Sequence, residues 1–125
     1  MDINQVSAKI VDSAMRVHSA LGPGLLESAY QACLAHELMK RGLAVRREVI
    51  APVHYDGIVL DAAYRIDLLV EGAVVVEIKS IAKIAPIHEA QLLSQLRLGG
   101  YRVGLLINFN VVHLKDGIVR KVHGL

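Results

Sequence analysis

Between Tyr64 and Lys79 the chain reads Tyr-Arg-Ile-Asp-Leu-Leu-Val-Glu-Gly-Ala-Val-Val-Val-Glu-Ile-Lys. No other stretch restricts the fold as much. Leu68 to Val70 and Val74 to Val76 are aliphatic, largely β-branched runs separated by Glu71-Gly72, so the segment predicts a buried β-hairpin. Three charged side chains stand inside it: Asp67, Glu77 and Lys79. A charge enters an apolar sheet only when it is paired, hydrogen-bonded or bound to a metal. A divalent cation is the simplest candidate for holding all three.

The turn decides whether they meet. A two-residue loop at Glu71-Gly72 pairs Asp67 with Val76 and turns Glu77 to the other face. A three-residue loop, Glu71-Gly72-Ala73, sets Asp67 opposite Glu77, with Gly72 supplying the left-handed residue such a loop needs. Cooperation among the three therefore predicts an odd loop or a β-bulge. Glu77 and Lys79 are two apart and share a strand face. Two carboxylates on one face offer oxygen ligands to a hard cation such as Mg²⁺. The ammonium beside them can hold a water or neutralise charge developing on a phosphate.

At 125 residues the chain is expected to form one domain with a real core, residues 1–125. With 54% hydrophobic residues, one Phe and no Trp, that core is aliphatic, and the chain is too apolar for disorder. No apolar run approaches the ~18–20 residues of a membrane span. One cysteine, Cys33, excludes an internal disulfide and a cysteine zinc cluster. Met1-Asp2-Ile3-Asn4-Gln5 lacks the basic, then apolar, pattern of a secretion signal. The expected setting is the reducing cytoplasm. A net charge of +2, with basic residues spread along the chain, permits a nucleic-acid partner without announcing one.

Ile3, Val6, Ile10, Ala14, Val17 and Leu21 recur at steps of three and four, predicting an amphipathic helix over 3–21 that Gly22-Pro23-Gly24 stops. A second helix is expected from about Leu25 to Arg41, with Gly42 after its end. Strands follow over Val45 to Ile50, Val53 to Tyr55 and Ile58 to Leu60, the last two joined by Asp56-Gly57, a strong hairpin signal. The charged hairpin comes next. Ile87 to Leu98 predicts a third helix, Val103 to Phe109 a buried strand, and Val111 to Leu114 with Ile118 to Val122 a closing hairpin through Asp116-Gly117. The expected order is α-α-β-β-β-β-α-β-β-β, an α/β (α+β) fold with helices packed on a mixed sheet.

Glu27, at the start of the second helix, shares a face with Gly24 and Tyr30. A first-turn Glu also stabilises a helix simply through the helix dipole. His88, Gln91 and Gln95 lie at steps of three and four on the third helix. That face suits a phosphate, an active-site lysine or carboxylate, or plain solvent. The other histidines show no metal-ligand spacing, and there is no glycine-rich phosphate loop.

Together, Gly24-Leu25-Leu26-Glu27-Ser28-Ala29-Tyr30, Arg65-Ile66-Asp67-Leu68-Leu69-Val70, Glu77-Ile78-Lys79, His88-Glu89-Ala90-Gln91-Leu92-Leu93 and Gly104-Leu105-Leu106-Ile107-Asn108-Phe109 resemble the GxxExxY proteins, a small family within the PD-(D/E)XK nuclease superfamily. The resemblance implies a restriction-endonuclease-like mixed sheet flanked by helices. It implies Asp67, Glu77 and Glu27 as ligands of Mg²⁺ (or Mn²⁺), Lys79 at the attacking water, and Gln91 as the helix glutamine found near such sites. Tyr30 and His88 would support them. Ile66 stands where the superfamily name has proline, and Gln95 stands where related nucleases often carry tyrosine. The expected activity is metal-dependent phosphodiester hydrolysis, on DNA rather than RNA. The competing expectation is a non-catalytic module that binds nucleic acid or protein. A chain this small has little surface to grip a duplex, which leaves room for a homodimer or a partner protein.

Overall fold

The computed structural model describes residues 1–124 of the chain. Helix α1 (Ile3–Leu21) opens on a reciprocal cap: Gln5 N–H donates to Asp2 Oδ1 and Asp2 N–H donates to Gln5 Oε1. Helix α2 (Glu27–Lys40) follows the Gly22–Gly24 turn. Next come β1 (Val45–Tyr55), β2 (Ile58–Val70) and β3 (Val74–Lys79), then α3 (Pro86–Gly99), β4 (Val103–Asn108), a 3₁₀ turn (Leu114–Gly117) and β5 (Ile118–Val122).

The five strands form one sheet in the order β1-β2-β3-β4-β5. Every neighbouring pair is antiparallel except β3 and β4, which are parallel and joined by α3. A parallel pair requires such a crossover. Helices α1 and α2 cover one face of the sheet. There Val6, Ile10, Tyr30, Leu34 and Leu38 pack with Leu68, Val70, Val74, Val76, Ile78, Leu105 and Ile107. Helix α3 covers the other face, where Leu92 and Leu96 pack with Ile66, Leu69, Val75 and Leu106. Buried on both faces, β3 and β4 read as nearly continuous apolar runs.

Gly104 sets the spacing of that second layer. A Cβ there would lie 2.7 Å from Leu92 Cδ1 and 3.0 Å from Leu96 Cδ2, so only glycine lets α3 lie this close to β4.

The mixed sheet flanked by helices is the expected fold class, and the order of helices and sheet segments stands. Two strand boundaries differ. The stretches 45–50 and 53–55 are one strand, β1, and the stretch 58–60 continues without interruption into β2. Pro52 breaks the ladder without ending the strand, since the register with β2 shifts between Ala51 and Val53. Proline is tolerated because β1 is an edge strand, where a missing N–H leaves no partner unpaired. The stretch 111–114 is not a strand. His18 Nε2 lies 2.8 Å from the Val111 carbonyl oxygen, Leu114 is buried beneath α1 and α2, and β5 pairs directly with β4. Gly117 closes the 3₁₀ turn rather than a hairpin, and a Cβ there would collide with the Asn108 carbonyl oxygen. None of the described helices is long and apolar enough to cross a membrane.

Candidate active site

The β2–β3 connection is the three-residue loop. Val70 pairs with Val74, Leu69 with Val75 and Leu68 with Val76. The next step of that register brings Asp67 and Glu77 together. Asp67 N–H points at Glu77 Oε1 at 3.4 Å, and Ile78 N–H donates to Asp67 Oδ2 at 2.8 Å. Gly72 is left-handed, as expected, and so is Glu71, with φ of 55°. A glutamate accepts that conformation only when its surroundings hold it there. Here Ala44 does so, donating its N–H to Glu71 Oε2 and accepting from Glu71 N–H.

Asp67 and Glu77 are each only 8% exposed. With Glu27, Lys79, Gln91 and Gln95 they line one open cavity of about 520 Å³. Burial first, and then the neighbouring Asp67 charge, push the Glu77 carboxyl up to about 8, while the Gln95 side chain beside it pulls the other way. Lys79 shares the cavity, and among the described residues its ammonium forms no ion pair.

The exit from β3 is clamped. Lys79 pairs with Asn108 on β4, and Phe109 N–H donates to the Lys79 carbonyl at 3.0 Å. The fully buried Asn108 accepts from Ile81 N–H at 3.1 Å and donates to the Ile81 carbonyl at 3.0 Å. Both ends of its amide are used, so the connector cannot drift from the strand that carries Glu77 and Lys79. Asn108→Ala leaves the half-buried Ile81 N–H without its partner and the Ile81 carbonyl with only the 3.3 Å bond from Asn110 Nδ2, and is expected to cost about 1–3 kcal/mol, read by urea denaturation. Asn108→Asp, which lacks the donor, is expected to cost at least as much at neutral pH.

Glu27 opens α2 and reaches the cavity, but its Oε1 accepts from Ser80 N–H at 3.4 Å. Among the described residues no group of three Asp, Glu, His or Cys side chains is arranged to hold a metal. Tyr30 stands beneath this edge. It stacks on Phe109 with ring centroids 4.5 Å apart, its hydroxyl donates to the Gly22 carbonyl at 2.6 Å, and it accepts from Leu25 N–H. Tyr30 thus fixes the turn that presents Glu27. Ser80 Oγ–H adds a 2.6 Å bond to the Leu25 carbonyl, tying that turn to the end of β3. His88 lies outside the cavity lining; its Nδ1 accepts from Ala85 N–H and caps α3.

The carboxylate pair suits a divalent cation. Asp67 Oδ2 and Glu77 Oε1 are turned to backbone N–H groups, which leaves Asp67 Oδ1 and Glu77 Oε2 free of the backbone. Burial and the neighbouring Asp67 charge both disfavour the ionised Glu77, and a divalent cation beside the pair would offset both. Gln95 Oε1 is buried in the same wall with no hydrogen-bond partner among the described residues.

The model of the PD-(D/E)XK nuclease superfamily matches residues 4–121. The chain belongs to that superfamily. No curated protein and no solved structure matches it at a significant level.

Five lining residues of this superfamily member have no assigned role in the sequence analysis: Ile50, Ala62, Ala63, Tyr64 and Arg65. Arg65 had a readable signal, since it stands two positions before Asp67 and strand side chains repeat with period two. Tyr64 and Ile50 had none, because they reach the cavity only where the β1–β2 hairpin extends past β3.

Proposed function

We propose that residues 1–125 act as one nuclease domain of the GxxExxY kind. In this reading it hydrolyses phosphodiester bonds, of DNA rather than RNA, in the cytoplasm and with Mg²⁺ or Mn²⁺. The observation that carries the reading is the buried Asp67–Glu77 pair, each acid with one oxygen free of the backbone, sharing one cavity with a lysine that forms no ion pair among the described residues. A structural ion pair would have brought Lys79 onto a carboxylate.

Asp67 and Glu77 would hold the cation, with Glu27 as the third carboxylate at the same cavity. A bound divalent ion supplies Lewis acidity, lowering the pKa of water and offsetting phosphate charge. Lys79 orients the attacking water or takes up charge on the phosphate oxygens, at a position fixed by β4. Gln91 and Gln95 donate from α3 on the opposite wall, Gln95 in the place of an aromatic side chain. One observation favours the second reading, a non-catalytic nucleic-acid- or protein-binding module: Glu27 rests on Ser80 and not on the acid pair.

Thermal melting with and without Mn²⁺ tests this. A ligand that binds only the folded chain raises Tm. Wild type is expected to gain roughly 5–10 °C when Mn²⁺ stands ~100-fold above its Kd, and Glu77→Ala to gain nothing. A wild-type melt that ignores millimolar Mn²⁺ at pH 7.5 would turn the assignment towards the binding module.

A further inference from the structure

Arg65 is a cation that the acid–acid–lysine chemistry does not use. Its guanidinium lies 3.8 Å from Asp67 Oδ1 and 3.9 Å from Glu48 Oε1. Those are charge contacts, too long for hydrogen bonds. Among the described residues none of its five N–H donors has a hydrogen-bond partner in the protein, and the side chain is 55% exposed. Arg47 on the neighbouring strand shows the contrast. Its Nε and Nη2 both donate to Gln31 Oε1, at 3.3 and 3.1 Å, so that guanidinium is fixed on the protein itself. Arg65 also lines the carboxylate cavity and two cavities that adjoin it.

Its second tether is unusual. Glu48 is left-handed, with φ of 51°, where β1 and β2 skip the pairing of Glu48 with Asp67. A non-glycine residue stays in that region only where its surroundings hold it there, and such strain gathers at functional sites.

We propose that Arg65 grips a substrate phosphate, and that its availability is set by what occupies Asp67. The oxygen it faces, Oδ1, is the one Asp67 keeps free of the backbone. Arg65 and a divalent cation therefore compete for the same atom. With that atom engaged, Arg65 meets a like charge, leaves Asp67 and remains held only by Glu48 at the cavity mouth. Its planar fork then matches two oxygens of a phosphodiester. Cation binding and nucleic-acid binding are thereby coupled, each strengthening the other. The inference rests on Asp67 and Glu77 being the cation site.

The experiment pairs two binding measurements on wild type, Arg65→Ala and Arg65→Lys. Mn²⁺ affinity is taken by calorimetry without nucleic acid. Affinity for a fluorescent 20-nucleotide strand and its duplex is taken by anisotropy, in Ca²⁺ and in EDTA, across a salt series. Removing the competing charge is expected to tighten Mn²⁺ binding in Arg65→Ala by roughly 3–10-fold. The same variant is expected to lose about 10-fold in oligonucleotide affinity in Ca²⁺, most of the gain that Ca²⁺ gives wild type, and about one unit of salt slope. Arg65→Lys keeps the competing charge and loses the fork, so Mn²⁺ affinity stays at the wild-type value while the oligonucleotide weakens. An Arg65→Ala protein with unchanged or weaker Mn²⁺ binding, or with the full wild-type response to Ca²⁺, overturns the proposal. Absence of Mn²⁺ binding in both wild type and Arg65→Ala overturns instead the cation site beneath it, and the proposal with it.

Discussion

Lys79→Ala is expected to slow phosphodiester cleavage by about 10²–10³-fold while leaving Mn²⁺ binding intact, the scale seen when one group that stabilises transition-state charge is removed. Glu77→Ala is expected to lose both cleavage and Mn²⁺ binding. The two residues are two apart on β3 and line one cavity, yet their roles separate. On the proposed reading the Glu77 carboxylate is part of the donor set, whereas among the described residues the Lys79 ammonium has no acid within ion-pair distance. Removing the ammonium takes a positive charge away from the carboxylates, so the affinity for a cation rises or stays level. It also leaves the Phe109 bond to the Lys79 backbone in place, so the strand keeps its register. Single-turnover cleavage of supercoiled plasmid and of an end-labelled oligonucleotide at saturating Mn²⁺ reads the first quantity, and calorimetry the second. Cleavage by Lys79→Ala within about threefold of wild type would remove Lys79 from the chemistry.

The meeting of Asp67 with Glu77 was legible because strand periodicity is two and a turn of odd length is the simplest way to set them opposite each other. Local pattern was enough there, since every residue involved lies within eleven positions. It was not enough at Pro52. Whether a proline ends a strand depends on whether the strand lies at a sheet edge, and β1 is an edge only because β3 to β5 stack on the far side of β2. Val111 to Leu114 failed for a similar reason. The segment is as aliphatic as a strand, but the Val111 carbonyl is engaged by His18, 93 positions away, and no window of sequence contains both.

The site divides along the same line. Glu27, Asp67, Glu77, Lys79 and Gln91 were singled out in the sequence, and all five line one cavity. Gln95 was harder to place, because a glutamine on a helix reads equally well as solvated surface. Its position against Glu77 follows from how closely α3 lies on the sheet, which the missing Cβ of Gly104 sets. His88 shared the spacing of Gln91 and Gln95 but stands in the first turn, where an unpaired N–H at Ala85 claims its ring. Tyr30 supports Glu27 only at a distance: the ring is buried against Phe109 and acts on the backbone of the turn.

Without divalent ions, wild type is expected to lose stability as pH rises from about 4.5 towards about 8, and Glu77→Gln to lose much less. The carboxyl of Glu77 is raised from 4.5 to about 8, chiefly by burial and then by the Asp67 charge. Between those values the folded chain keeps a proton that the unfolded chain has released, so stability falls with increasing pH throughout that window. Below it the proton is bound in both states and the folded protein carries no such penalty. Above it the penalty is complete, on the order of 2–5 kcal/mol. Glutamine has the shape of the protonated acid and cannot ionise, and it brings an N–H donor to the wall that holds Gln95 Oε1, which has no partner among the described residues. In EDTA at pH 8.5 the Glu77→Gln protein should therefore melt roughly 5–15 °C above wild type, although the two nearly coincide at pH 4.5. Millimolar Mn²⁺ should close that gap by raising wild type alone, because a cation between the carboxylates replaces the proton that holds them together. Parallel pH profiles for the two proteins in EDTA would mean that water or backbone movement already relieves the pair. The acid pair would then no longer distinguish a cation site from an ordinary polar patch in the sheet.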